Sequence, residues 1–199
     1  MGIIFFDLFH NIIGNICSQI DSIFNISLRK KIPSQQLQID DVFWSELLLS
    51  YSDFGQHGAN IHNNISFFEC ASFLSEDSGD ITETSLHIGD VVTLQIEDEK
   101  EDCYAIIRHI FKHKNNNNRF FTFISLDWFE KINQENPMEC CIYKIQAEEN
   151  KKWRRLYPIT IIDKVEKAHF VHRCYDSCIN SHDLNNKQYY KNEFFMSVV

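Results

Sequence analysis

Five histidine and cysteine side chains near the C-terminal end of the chain could coordinate a metal ion. They lie in the segment HFVHRCYDSCINSH and are His169, His172, Cys174, Cys178 and His182. Imidazole and thiolate groups are common ligands of Zn²⁺, and a strand would place His172 and Cys174 on one side. The spacing is irregular and contains no Cys-x-x-Cys knuckle. We therefore expect no metal, and the candidate ligands would be His172, Cys174, Cys178 and His182.

A second candidate site surrounds Trp128, in the stretch RFFTFISLDWFEK at 119–131. Strand alternation puts Trp128 on one face with Ile124 and Leu126, which is typical of a core residue. Alternatively, Trp128 is the wall of a pocket at the strand end. The sequence alone leaves both interpretations open, and we expect a partly exposed Trp128.

Motifs for catalysis do not stand out in this chain. It contains six glycines, and we find no glycine-rich phosphate loop, no nucleophile elbow and no cysteine–histidine pair with an orienting group. We therefore expect a protein that is not an enzyme and has no cofactor.

The charge of the chain bears on its partners. Among 199 residues, 19 Lys and Arg stand against 28 Asp and Glu, which gives a net charge of −9. Such an acidic protein is a poor candidate for sequence-independent DNA binding, whereas a basic partner such as a histone tail meets no such barrier. The basic segment KKWRR at 151–155 could contact phosphates, but a solvated basic turn is the interpretation we favour.

The N-terminal region predicts neither a membrane span nor a secretory signal. Polar residues interrupt the apolar stretch at 1–24, and the seven scattered cysteines indicate reduced thiols inside the cell. Large apolar residues recur at three- and four-residue spacing, which predicts an amphipathic helix; they are Phe5, Phe9, Ile12, Ile16, Ile20 and Ile23. The pattern from 27 to 85 is irregular, and the acidic, serine-rich SEDSGDITETS at 75–85 predicts a linker.

After residue 85 the chain changes to short runs rich in Val, Ile, Phe and Tyr, which predict strands. These runs are VVTLQIED, CYAIIRHIFKH, RFFTFISLDWF, ECCIYKIQ, YPITIID and AHFVHRC. The segment KNNNN at 114–118 predicts a hairpin tip, because Asn tolerates positive φ, and makes 103–131 a long antiparallel ribbon. Six strands without intervening helices indicate a small barrel or sandwich.

The order of these segments resembles a bromo-adjacent homology (BAH) domain across about residues 86–174. The family's motif strands fall on the segments GDVV, CYAII, DWF, YPI and KAHFV of this chain, in that order. The ending HDLNNKQYYKNEFF is also similar to BAH-like segments in proteins of fungal mobile elements. The resemblance implies a distorted antiparallel β-barrel that serves as a protein-interaction module in chromatin.

Some members of this family hold a methylated lysine in an aromatic cage, where cation–π attraction contributes roughly 0.5–2 kcal/mol per contact. By resemblance, the cage aromatics fall on Tyr104 and Trp128, and Asp127 would add negative charge. At the position of the third ring the chain has Phe129, followed by Glu130, whose carboxylate could face the cation.

These observations predict a mostly β protein with a helix and loop extension at 1–85 and a BAH-like barrel at 86–199. We expect a nuclear, chromatin-associated module that binds a histone tail or another nuclear protein. The alternative is a BAH-like fragment of a mobile-element protein that serves nucleic-acid transactions without methyl-lysine recognition.

Overall fold

The fold is described from a computed structural model of the chain. The structure describes residues 26–33, 39–56, 65–77, 80–94, 102–116, 118–133, 140–147, 152–162, 167–173 and 188–192. The amphipathic helix predicted within the first 26 residues lies almost wholly outside these ranges.

The described residues contain ten strands and one α-helix, and they confirm the prediction of a mostly β protein. In chain order the elements are β1 (Ser27–Ile32), α1 (Asp41–Asp53), β2 (Ile65–Asp77), β3 (Asp80–His87), β4 (Val91–Leu94), β5 (Cys103–Lys114), β6 (Phe120–Ile132), β7 (Ile142–Ile145), β8 (Leu156–Pro158), a 3₁₀ turn (Ile159–Ile161), β9 (Phe170–His172) and β10 (Gln188–Lys191).

All strand pairs are antiparallel and belong to one sheet, whose main order is β1-β2-β5-β6-β7-β10-β9. The pairings of the described strands do not close this sheet into a barrel. Three strands lie beside the main order, because β3 pairs with β2, β4 pairs with β5, and β8 pairs with β6. The long strands β2, β5 and β6 therefore change partners along their length.

The β5–β6 hairpin is the predicted antiparallel ribbon. Its turn uses asparagine as expected: Asn118 has φ of 60°, in the left-handed region that Asn tolerates better than most residues. Asn115 closes the turn, since its backbone N–H donates to the Arg119 carbonyl at 2.9 Å and its side-chain oxygen accepts from the Arg119 N–H at 3.0 Å.

The predicted linker at 75–85 is instead part of a β-hairpin. Residues 75–77 end β2, and Asp80–His87 form β3, which pairs with β2 from Cys70 to Asp77. β2 also pairs with β5, so the described residues on both sides of the predicted boundary at 85 share one sheet. A polar, serine-rich composition occurs in linkers and in strand pairs alike, and composition alone does not separate the two.

Helix α1 forms where the sequence shows only a short apolar run. Asp40 caps its N-terminus, because the Asp40 Oδ1 accepts from the Phe43 N–H at 2.8 Å. Its buried residues lie on one face and are Phe43, Leu47, Ser50 and Tyr51. This face packs against rings of the β5–β6 hairpin, and the Ser50 hydroxyl donates to the Leu156 carbonyl at 2.6 Å.

A short contact joins β4 to the segment before β9. Val92 forms an isolated bridge with Lys167, and the Ala168 N–H donates to the Val91 carbonyl at 3.0 Å. The Lys167 ammonium lies 2.8 Å from the carboxylate of Asp90, so an ion pair reinforces this contact.

Candidate binding pocket

Trp128 is a core residue. Its side chain is 2% exposed, and its ring centroid lies 5.0 Å from that of Trp153 and 5.8 Å from that of Tyr157. The indole Nε1–H donates to the Arg154 carbonyl at 2.8 Å, which satisfies the only polar group of the ring. The expectation of a partly exposed Trp128 is therefore wrong.

Strand alternation explains this burial. Ile124 and Leu126 are completely buried in the same cluster as Trp128, as period-2 spacing predicts. Asp127 points elsewhere: its carboxylate accepts from the Arg108 Nε at 2.7 Å. Neither Trp128 nor Asp127 lines the pocket described next.

Three of the five predicted site residues do meet in one pocket, namely Tyr104, Phe129 and Glu130. The pocket has a volume of about 320 Å³ and lies where the start of β5, the end of β6 and β7 come together. Its lining also includes residues just after β7 and before β8. The complete set is Asp102, Cys103, Tyr104, Phe129, Glu130, Lys131, Tyr143, Gln146, Lys152 and Trp153.

Two of the lining rings form a right-angled corner. The centroids of Tyr104 and Tyr143 are 5.7 Å apart, and the ring planes meet at 87°. Phe129 stacks on Phe170 at 4.4 Å with an angle of 13°, and Tyr104 contacts the same Phe170 at 5.5 Å. Packing against Phe170 thus fixes Tyr104 and Phe129 as buried walls of the pocket. Tyr143 is the half-buried wall.

Charged side chains of both signs line the pocket. The carboxylates belong to Asp102 and Glu130, and the ammonium groups to Lys131 and Lys152. Lys144 forms an ion pair with Glu130 at 3.3 Å, with both side chains about half exposed. Because exposed pairs are worth little, this contact holds the Glu130 carboxylate only weakly.

Lysines of the chain itself already lie against two of these rings. The Lys152 Nζ is 4.6 Å from the centroid of the Trp153 ring. The Lys191 Nζ is 4.7 Å from the centroid of Tyr104, and it donates to the Tyr104 hydroxyl at 2.7 Å. These rings therefore have faces that accept ammonium groups at cation–π distance.

Tyr143, Trp153 and Asp102 also line the pocket and were missed in the sequence. Tyr143 reaches it through the pairing of β7 with β6, in which Lys131 lies opposite Tyr143. Trp153 belongs to the KKWRR segment, which was interpreted as a solvated turn. That segment is tethered to the helix instead, because Arg154 forms an ion pair with Asp53 at the end of α1. A strand-pairing register is the signal that would have found Tyr143.

The metal-ligand candidates are separate from the pocket. His172 lies in β9, where its ring contacts Tyr189 at 5.6 Å, whereas Cys174, Cys178 and His182 lie outside the described residues. Within the described part of the chain, no three His, Cys, Asp or Glu side chains are grouped to hold a metal ion.

Among the residues that the structure describes, no helix is long and apolar enough to cross a membrane.

Comparison with known proteins gives no relative to set beside this geometry. No protein-family model matches the chain, and no curated protein or solved structure matches it either.

Proposed function

We propose that this protein is a non-enzymatic binding module that receives a lysine side chain of a basic partner in the pocket beside Tyr104. The leading candidate is a histone tail, and the lysine would be methylated. The observation that carries this proposal is the right-angled corner of Tyr104 and Tyr143, with the carboxylates of Glu130 and Asp102 lining the same pocket.

The chemistry of the pocket supports a cationic side chain. Two perpendicular rings offer electron-rich surfaces from two directions, and the carboxylates add charge complementarity. The volume of about 320 Å³ is at the low end of the range for ligand sites, roughly 300–1,000 Å³, and suits one side chain. Lys152 lies against the Trp153 ring and Lys191 against the Tyr104 ring, so the cation of a ligand at the corner of Tyr104 and Tyr143 would take the place of Lys191.

The charge of the whole chain supports a basic partner as well. A protein with net charge −9 attracts a basic tail at long range and accelerates its association. A histone partner would imply a nuclear, chromatin-associated protein, as the resemblance to the BAH family also implies.

A BAH-like barrel is part of the same proposal. The bridge of Val92 with Lys167 and the Ala168–Val91 hydrogen bond favour it, because they link β4 to the segment that leads into β9. β4 pairs with β5, and β9 is joined to β6 through β10 and β7, so this link would complete a ring of strands around Tyr104 and Phe129.

The test is calorimetric titration of the full chain with histone-tail peptides that carry either trimethyl-lysine or unmodified lysine. We expect binding that is tighter for the methylated peptide. Tyr143→Ala should weaken it at least about tenfold by removing one wall of the corner, and Glu130→Gln should weaken it by removing charge.

Tyr190→Ala is the matched control, because Tyr190 is also a half-buried tyrosine in a sheet strand but does not line the pocket. It should bind like the wild type. Equal affinities of wild type and Tyr143→Ala for every peptide, or no binding of any peptide, would refute the proposal.

A further inference from the structure

The far end of the β5–β6 hairpin carries a basic surface with an exposed aromatic ring. This surface, which we call the hairpin tip, consists of Lys112, Lys114, Arg119 and Phe120. Phe120 is 49% exposed, whereas most of the described phenylalanine side chains are buried.

The ring and the lysines lie on one face of the hairpin. Phe120 is paired with Lys114 in the ladder, and the next residue on the same face of β5 is Lys112. The Lys112 Nζ is 4.2 Å from the centroid of the Phe120 ring, and the Lys114 Nζ is 5.6 Å from it. The aromatic surface and the positive charge are thus held together by the strand register.

Acidic side chains are absent from the sequence around the tip. No Asp or Glu occurs from residue 103 to 126, although the whole chain carries 28 of them. β2 borders the tip through the pairing of Ile65 with His113, and its residues 65–68 contain no acidic side chain. The net charge of −9 therefore hides a local positive surface of three cations at the hairpin tip, namely Lys112, Lys114 and Arg119.

We propose that the hairpin tip binds single-stranded nucleic acid. Phe120 offers a ring on which a base can stack, and Lys112, Lys114 and Arg119 lie where they can neutralise neighbouring phosphates. Sequence-tolerant binders of single strands combine these two elements, an aromatic platform and a cationic track.

This surface is distinct from the pocket. Nine steps along β5 lead from Tyr104 to His113, a distance of about 30 Å in an extended strand. The hairpin tip can therefore act whether or not the pocket binds a lysine, and the two proposals can fail independently.

The experiment measures fluorescence anisotropy of a labelled oligothymidylate of about 12 nucleotides with the full chain, between about 50 mM and 200 mM NaCl. We expect Lys112→Gln/Lys114→Gln to weaken binding at least about tenfold. It should also reduce the slope of log affinity against log salt by about 1.4, since two phosphate contacts are lost from a single strand.

Two substitutions of the ring separate stacking from charge. Phe120→Leu keeps an apolar side chain without a π face and should weaken binding about fivefold, whereas Phe120→Trp should bind at least as well as the wild type. Because Phe120 is half exposed, both variants should fold, which circular dichroism verifies.

The matched control is Arg29→Gln/Lys31→Gln, which removes the same charge from exposed positions of β1. Its affinity should stay within about twofold of the wild type. Three results would overturn the proposal: no oligothymidylate binding at the lower salt, equal weakening by both double variants, or binding to phosphatidylserine vesicles in place of the oligonucleotide. Tyr143→Ala should leave oligonucleotide binding unchanged.

Discussion

Trp128 and Tyr104 lie on opposite faces of the β5–β6 hairpin. Trp128 is paired with Ala105, and both side chains are buried in the same core cluster. Tyr104, which directly precedes Ala105 in β5, points to the other side and packs with Phe129 in a separate cluster. Because side chains alternate along a strand, no adjustment of rotamers could bring Trp128 and Tyr104 into one cage.

The first prediction concerns this core role of Trp128. Trp128→Ala should lower the free energy of unfolding by about 3–5 kcal/mol, because it leaves a cavity beside Trp153 and Tyr157. Trp128→Phe keeps most of the packing and loses the hydrogen bond to the Arg154 carbonyl, so its cost should be smaller. Urea unfolding followed by circular dichroism measures both. A loss below about 1 kcal/mol for Trp128→Ala would contradict the core assignment.

The second prediction concerns alkaline pH and the buried Tyr51. Tyr51 and His113 are completely buried and share a hydrogen bond of 2.5 Å between the Tyr51 hydroxyl and the His113 Nδ1. Burial raises the pKa of Tyr51 above its ordinary value of 10.0. The unfolded chain therefore ionises first, and stability should fall as the pH rises above about 10.

Tyr51→Phe should lose stability at neutral pH, by about 1–3 kcal/mol, because the buried His113 loses one partner. The same variant should show a shallower decline above pH 10, since only the wild type has this ionisation linked to unfolding. Burial also raises the pKa of Tyr157, which is present in both proteins and so serves as an internal control. Parallel declines for the two proteins would argue against a linked Tyr51.

The third prediction concerns mildly acidic pH and His109. Burial lowers the pKa of the His109 imidazole below 6.5, and the nearby Asp127 opposes this effect only in part. The unfolded chain binds this proton more readily, so the contribution of His109 should be lost as the pH falls below about 6.5.

His109→Gln keeps a side chain that can bond to the Ser125 hydroxyl, which lies 3.0 Å from the His109 Nδ1, and removes the titration. We compare the urea midpoint of each protein at about pH 7.5 and about pH 5.5. The midpoint should fall less between these two pH values in His109→Gln than in the wild type. A larger drop in the variant would reverse the assigned sign.

The fourth prediction concerns the turn of the β5–β6 hairpin. Asn118→Val places a β-branched residue at φ of 60° and should cost roughly 1–3 kcal/mol of stability. Asn118→Gly suits this backbone conformation and should be close to neutral. Thermal unfolding of the two variants distinguishes a strained turn from one that adapts; equal melting temperatures would exclude strain at this position.

The sequence determined the local structure of this protein where each signal lies within a few residues. Five of the six β-branched and aromatic runs after residue 85 correspond to the strands β4, β5, β6, β7 and β9. The sixth, YPITIID, contains only the end of β8 and continues as the 3₁₀ turn Ile159–Ile161. Asn115 and Asn118 became part of the hairpin turn. The alternation of Ile124, Leu126 and Trp128 also predicted a common buried face. These features follow from backbone preferences and period-2 spacing, which need no distant partner.

The tertiary structure decided which of these segments meet. Tyr143 joins Tyr104 in the pocket only through the β6–β7 register, and the β2–β3 hairpin turns a linker-like composition into part of the sheet. Helix α1 likewise buries one face against rings contributed by β5 and β6. Strand partners and packing surfaces are chosen by non-local hydrogen bonds and apolar burial, so residues far apart in the chain determine the pocket, and the pattern around Trp128 alone does not.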